Sequence, residues 1–154
     1  MRALGSGSAV VRDLYTIGYQ QRSLDSFLET LACNEIDVLM DVRHTPWSRK
    51  PDFSRTRLSR ALAEREIAYL HRPELGSAPA LRRELHETHD WERFSVAYLE
   101  HLDSLNGALE STFSTYDGKR VCLLCMEADH IHCHRSLLAE RLVELGAASE
   151  PIHL

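Results

Sequence analysis

Apolar and polar positions alternate along this chain between two rhythms. Short, dense apolar runs fall at residues 14–18, 37–42, 67–70, 120–125 and 151–154. The second of them, Asp37-Val38-Leu39-Met40-Asp41-Val42, is nearly continuous, as a strand covered on both faces reads. Between the runs the spacing becomes helical. Leu24, Phe27, Leu28 and Leu31 follow Ser23 as an N-cap, with Asp25 and Ser26 in the first turn. Ser54 is expected to cap a helix carrying Leu58, Ala61 and Leu62. Helical spacing also covers residues 81–85 and a long stretch from Trp91 to about Phe113, where Phe94, Ala97, Tyr98, His101, Leu102 and Leu105 make one stripe. A last helix over residues 136–145 closes on Gly146. Residues 44–53 read as a loop fixed by two prolines, residues 73–79 as irregular chain and Asp117-Gly118 as a turn.

Strands separated by helices imply βαβ units with right-handed crossovers. The expected fold is α/β, a three-layer sandwich around a mostly parallel central sheet of about five strands, Rossmann-like in topology. In such sheets ligands bind beyond the carboxyl ends of the strands. That rule gathers residues 18–22, 43–53 and 125–135 on one edge.

The chain has 154 residues, 44% hydrophobic and 27% charged. This fits a flexible N-terminal segment over residues 1–12 and one globular domain over 13–154. A domain of this size buries roughly 70% of its unfolded surface and needs neither disulfide nor metal to fold. No apolar run approaches the ~20 residues of a membrane span, and no secretory leader is apparent, so a cytoplasmic location and no membrane partner are expected. The four cysteines, Cys33, Cys122, Cys125 and Cys133, are then expected to be reduced thiols. Cys33 and Cys122 read as packing residues. A net charge of −5 argues against a general polyanion binder. Residues 43–60 nevertheless carry six basic groups against one acid, Asp52. Sixteen arginines against two lysines favour forked recognition of carboxylate or phosphate, with G+C-rich coding as the plain alternative.

Residues 122–135 concentrate the chemistry: Cys122-Leu-Leu-Cys125-Met-Glu127-Ala-Asp-His-Ile-His-Cys133-His134-Arg135. Three readings compete. A metal site could use Cys125, Cys133 and a histidine. It would not use Cys122 with Cys125, because residues three apart on a strand face opposite ways. A thiolate site would place Cys125 at a strand end and Cys133 at a helix start, where free N–H groups and Arg135 lower a thiol pKa, with Glu127 or His134 as proton carrier. A structural reading makes the cysteines inert and pairs Glu127 with Arg135. Arg43 ends a buried strand and must be paired, with Asp41 or Glu127, or face a ligand. Ser48 and Arg49 lie on the proline-fixed loop, where Trp47 and Phe53 could stack on a base. Tyr69 and Tyr98 read as core residues with bonded hydroxyls, and His153 could reach the same crevice.

The motifs together resemble the DUF488 family of bacterial and archaeal α/β proteins, from Tyr15 to His153. They are Thr16-Ile17-Gly18 with Arg22-Ser23; Asp41-Val42-Arg43 with Pro46 and Ser48-Arg49; Ile67-Ala68-Tyr69 leading to Pro73-Glu74-Leu75-Gly76; Leu124-Cys125-Met126-Glu127; Cys133-His134-Arg135-Ser136; and Ile152-His153. Tyr19-Gln20 stands where the family usually has His-Ser, and Ser77 where it has a second glycine. The resemblance implies a fold and a set of positions, with no settled reaction. The Cys125–Arg135 loop is similar to the anion-cradling loops of rhodanese and cysteine phosphatase folds, but the Cys-x5-Arg spacing of the phosphatases is absent.

The sequence therefore predicts a small enzyme acting on an anionic, phosphate-bearing or nucleotide-like substrate. Cys125, Glu127, Cys133 and His134 would be the reacting groups. Gly18, Tyr19, Arg22, Asp41, Arg43, Ser48, Arg49 and Arg135 would hold the substrate. The alternatives are a non-catalytic binder of a phosphorylated metabolite or nucleic acid, and a metal-binding protein using Cys125, Cys133 and a histidine. The cofactor and the oligomeric state are left open.

Overall fold

A computed structural model of the chain describes residues 13–105 and 107–154; the expected flexible segment 1–12 lies outside the described residues. The elements run β1 (Asp13–Gly18), α1 (Leu24–Cys33), β2 (Val38–Asp41), α2 (Arg55–Glu64), β3 (Ala68–His71), α3 (Pro79–Thr88), α4 (Trp91–Asp103), α5 (Ala108–Ser114), β4 (Arg120–Cys125), α6 (His134–Glu144) and β5 (Ile152–His153). Single 3₁₀ turns occupy Pro51–Phe53 and Pro73–Leu75.

The sheet has the order β3-β2-β4-β1-β5, and all four pairings are parallel. The expected three-layer architecture is present, with an all-parallel sheet of five strands. Strand alternation sorts the apolar residues into two cores. Val121 and Leu123 of β4 pack with Phe94, Tyr98, Phe113, Leu138 and Leu142 from α4, α5 and α6. Cys122 and Leu124 pack on the other face with Phe27, Leu31, Leu58 and Leu62 from α1 and α2. Neighbouring strands β1 and β4 thus send their following helices to opposite faces. This divergence of the connections marks a topological switch point, the place at which parallel sheets bind ligands.

Local signals explain most boundaries. Ser23 caps α1, accepting from the Ser26 N–H at 3.1 Å. Ser54 occupies the N-cap of α2 without capping it, because its hydroxyl accepts instead from Ser48 N at 3.0 Å and closes the proline loop. The helix expected to continue from Trp91 to Phe113 is two helices, since Gly107 takes φ 72° at the start of α5 and breaks the run. Cys33 is exposed on α1 rather than packed, whereas Cys122 is buried, and burial pushes its thiol pKa up. Tyr98 is fully buried and donates to the Leu75 carbonyl at 2.6 Å. Among the described residues no helix is long and apolar enough to cross a membrane.

Strand β5 is two residues long and is held at the sheet edge by backbone pairing with β1 and by the side chain of one histidine. His153 Nδ1 lies 2.6 Å from Thr16 Oγ1, and its ring stacks on His130 with centroids 3.6 Å apart. Burial, the neighbouring His130 and the charge of Arg135 lower the His153 pKa from 6.5 to about 4. Because the folded-state pKa lies below the unfolded one, this group stabilises the fold above pH 6.5, and the contribution is lost as pH falls toward 4. Urea midpoints measured between about pH 7 and about pH 4.5 should therefore fall more steeply for the wild type than for His153→Asn. Equal slopes would show that this ring does not couple to folding.

Candidate functional site

Cys125 is the last residue of β4 and turns toward the α6 layer. The chain then loops over residues 126–133 and returns as α6, with Cys133 at its N-cap. Two contacts fix this loop against the sheet. The Arg135 guanidinium, fully buried, donates from Nη1 to the Glu127 carbonyl and reaches the Ala128 carbonyl from Nη2 at 3.4 Å. Gly18, at the end of β1, lets the Glu127 carbonyl approach: a Cβ there would overlap that oxygen and lie 3.0 Å from Arg135 Nη1. Backbone bonds continue the β1–β4 pairing outward, from Tyr19 N to Cys125 O at 3.4 Å and from Gln20 N to Met126 O at 2.9 Å.

The loop brings four chemical groups together. The Cys125 and Cys133 sulfurs are joined as a disulfide, both residues being 1% exposed, so this pair departs from the reduced thiols expected of the sequence. Glu127 Oε2 lies 2.9 Å from the Cys125 sulfur and 3.3 Å from the Cys133 sulfur. On reduction of the pair, either thiol gains an S–H that this carboxylate can accept. Arg135 Nη1, 3.5 Å from the Cys125 sulfur, supplies positive charge that favours a thiolate. His134 Nε2 lies 3.1 Å from the Val42 carbonyl. Burial holds the His134 pKa below its ordinary value, so the ring is neutral near pH 7. A carbonyl only accepts, so Nε2 carries the proton and Nδ1 keeps a free lone pair.

One wall of the crevice is cationic. Asp41, fully buried at the end of β2, accepts from Arg43 Nε at 2.9 Å, Arg43 Nη2 at 2.7 Å and the Tyr69 hydroxyl at 2.6 Å. Burial by itself would lower the Arg43 pKa, but the hydrogen bonds and charge of Asp41 outweigh it and raise it. Burial, reinforced by the charge of Asp41, raises the Tyr69 pKa as well. Arg43 is 5% exposed, and its Nη1 has no well-formed hydrogen bond, with Tyr19 as a weaker side-chain partner of the guanidinium than Asp41. Its guanidinium lies over the Tyr19 ring at 5.3 Å, and Tyr19 stacks on Phe53 at 4.8 Å.

Two cavities meet over the loop. The smaller, about 370 Å³, is lined by Tyr19, Gln20, Arg43, Trp47, Ser48, Arg49, Lys50, Arg82, Cys125, Glu127 and His134 among others. The larger, about 920 Å³, is lined by Arg82, Arg83, His86, Trp91, His132, Cys133 and, again, Glu127 and His134. Glu127 and His134 line both cavities, while Cys125 faces the smaller and Cys133 the larger. Tyr19, Arg43, Ser48 and Arg49 face the smaller cavity.

Four residues expected to hold substrate line neither cavity. Gly18 makes room for the loop carbonyl. Arg22 bonds the Gly18 carbonyl at 3.1 Å and Thr30 at 3.3 Å, Asp41 holds Arg43 and Tyr69, and Arg135 clamps the loop. Glu127 and Arg135 do not pair through the carboxylate; the guanidinium takes the backbone carbonyl instead. Phe53 is buried under Tyr19, while Trp47 is 64% exposed at the rim. His153 lines neither cavity. Sequence reasoning missed Arg82 and Arg83. They belong to α3, a helix with no buried residue, and nothing in its pattern indicates which way it faces.

An all-parallel α/β sheet with a cysteine, carboxylate and imidazole cluster at its switch point defines a Rossmann-like protein with an open polar site. The family model described as domain of unknown function DUF488 matches residues 23–142, and the chain belongs to that family. No curated protein and no solved structure matches the chain.

Two substitutions test how the site is held. Gly18→Ala should cost about 3 kcal/mol or more, since the clash is with backbone, and should raise protease susceptibility of residues 126–133. Asp41→Asn leaves Arg43 buried without a countercharge and should cost about 3–5 kcal/mol in urea denaturation. A Gly18→Ala protein of wild-type stability would mean that the loop moves freely away from β1.

Proposed function

We propose that the protein is a small enzyme that takes an anionic, phosphate-bearing or nucleotide-like substrate into the two-lobed crevice and presents it to Cys125, Glu127, Cys133 and His134. The observation that carries this reading is the Nη1 of Arg43, which makes no well-formed hydrogen bond. It belongs to a charged group held almost wholly out of water by Asp41, in the wall of a cavity that also receives Arg49, Lys50 and Arg82. A buried N–H with no partner costs roughly 1–3 kcal/mol, more on a charged group, and an anionic oxygen would satisfy it. Lys50 is partly committed, since its Nζ bonds the Tyr19 and Arg22 carbonyls. The anion is therefore assigned to Arg43, Arg49 and Arg82. Tyr19 and the exposed Trp47 offer flat apolar faces suited to a base or sugar.

Glu127 is the proton carrier in this reading, because its carboxylate reaches both sulfurs and faces both cavities. Cys125 and Cys133 supply the polarisable centre to which the reacting group of the anion is brought. Arg135 is a positioning residue that acts by holding the loop.

Titration with inorganic pyrophosphate by calorimetry is the test. The wild type should bind, and the affinity should fall as salt rises. Arg49→Ala and Arg82→Ala remove exposed side chains and should leave the melting temperature within a degree or two, while weakening binding several-fold each. No binding by the wild type, or binding indifferent to both arginines, would overturn the proposal.

A further inference from the structure

We propose that Cys125, Cys133 and His134 form a site for a divalent transition-metal ion of the zinc type, left open to the crevice at a fourth position. This deepens the reading above, on which it rests only for the substrate that would reach the open position. The ligand atoms of the three residues all lie within 4.8 Å of one another, so a single ion can touch each of them. Two thiolates and an imidazole are the soft and borderline donors that zinc-type ions select, in roughly tetrahedral arrangement.

Three further features separate a metal centre from a simple thiol pair. The first is backbone spacing. The structure joins the two sulfurs, yet the Cα atoms of Cys125 and Cys133 are 7.8 Å apart, wider than the roughly 4.4–6.8 Å that disulfides ordinarily span. An ion between two sulfurs accommodates a wider pair.

The second is the outer support of the histidine. Metal-bound imidazoles characteristically donate their other ring N–H to a carbonyl or carboxylate, which fixes the tautomer and aims the lone pair. His134 Nε2 meets the Val42 carbonyl at 3.1 Å, leaving Nδ1 for the ion. Val42 is the residue after β2, so the supporting carbonyl belongs to the sheet and holds the ring rigidly.

The third is access. Each of the three residues lines at least one cavity, and Glu127 lines both, next to the two sulfurs. Structural zinc sites are closed by four protein ligands, whereas a site with three ligands and an approach for water or substrate is built for chemistry. Two thiolates balance the charge of a divalent ion. Arg135 Nη1, 3.5 Å from the Cys125 sulfur, moderates the negative charge left by Glu127. Ion binding expels the thiol protons, and Glu127 is placed to accept them.

The experiment uses untagged, reduced, metal-free protein titrated with Co²⁺. One Co²⁺ per chain is expected, with thiolate-to-cobalt charge-transfer absorption and the visible bands of a tetrahedral ion, and Zn²⁺ should bleach both. Cys125→Ser, Cys133→Ser and His134→Ala should each weaken binding at least tenfold, whereas Cys33→Ser, at an exposed position, should bind as the wild type does. X-ray absorption of the Zn²⁺-loaded wild type should show two sulfur ligands and keeps the test intact if a cysteine variant does not fold. Absence of charge-transfer absorption in the reduced wild type would overturn the proposal. So would a band surviving in the Cys125→Ser/Cys133→Ser variant, or an intact mass showing a Cys125–Cys133 disulfide under reducing conditions. Pyrophosphate titration of the metal-free wild type separates the two ideas. Retained pyrophosphate binding without any Co²⁺ binding sinks the metal centre alone. Co²⁺ binding without pyrophosphate binding sinks the anion crevice alone.

Discussion

The buried guanidinium of Arg135 is the contact on which the site depends. It lies at the first turn of α6 and reaches back to the carbonyls of Glu127 and Ala128, tying the helix to the loop that precedes it. Those carbonyls point inward at the carboxyl end of the sheet, where no further strand supplies N–H groups. Without a donor they would be unsatisfied, and the loop would turn outward. Burial lowers the Arg135 pKa from its ordinary value, yet an arginine stays charged at neutral pH, so the clamp is a charge-assisted bond. The same group lies against the Cys125 sulfur, and one residue therefore sets both the shape of the loop and the field at the thiols.

Gly18 is the counterpart of this clamp. The carbonyl that Arg135 holds occupies the space a side chain would fill at the end of β1. Close approach of β1 and the loop is what brings Tyr19 and Gln20 alongside Cys125 and Met126. The Asp41, Arg43 and Tyr69 network does the equivalent work from β2, presenting beside the loop one guanidinium nitrogen that makes no well-formed hydrogen bond, without leaving a buried charge unpaired. Three strand ends thus carry three kinds of group to one crevice: a close backbone approach, a held cation and a cluster of donors.

Much of this is legible in the chain. The position of the crevice follows from the alternation of strands and helices, because parallel topology leaves only one edge for ligands. The division of Cys122 from Cys125 follows from strand geometry, and the two residues indeed enter opposite cores. Arg43 at a strand end had to be paired, and Asp41 two residues earlier was an available partner. Other features have no local signature. Ser54 has the chemistry of a cap, but its hydroxyl goes to Ser48 because the proline-fixed loop returns there. The break after α4 did have a local sign, the Asn106-Gly107 pair, which the helical reading from Trp91 to Phe113 passed over and which Gly107 at φ 72° makes plain.

By itself the sequence determined the class of fold, the edge of the sheet that carries polar chemistry, and the residue types gathered there, because strand and helix periods are local properties of a chain. Tertiary structure decided what each of those residues does. It withdrew Arg22, Asp41 and Arg135 from the cavities to hold backbone and side-chain partners, since a buried charge must spend its donors on whatever carbonyl or carboxylate is nearest. It brought Cys133 and His134 to Cys125 across a loop of seven residues, aimed the free nitrogen of His134 by way of a carbonyl from another strand, and set α3 with Arg82 over the crevice. These depend on contacts between segments far apart in the chain, which no local pattern encodes.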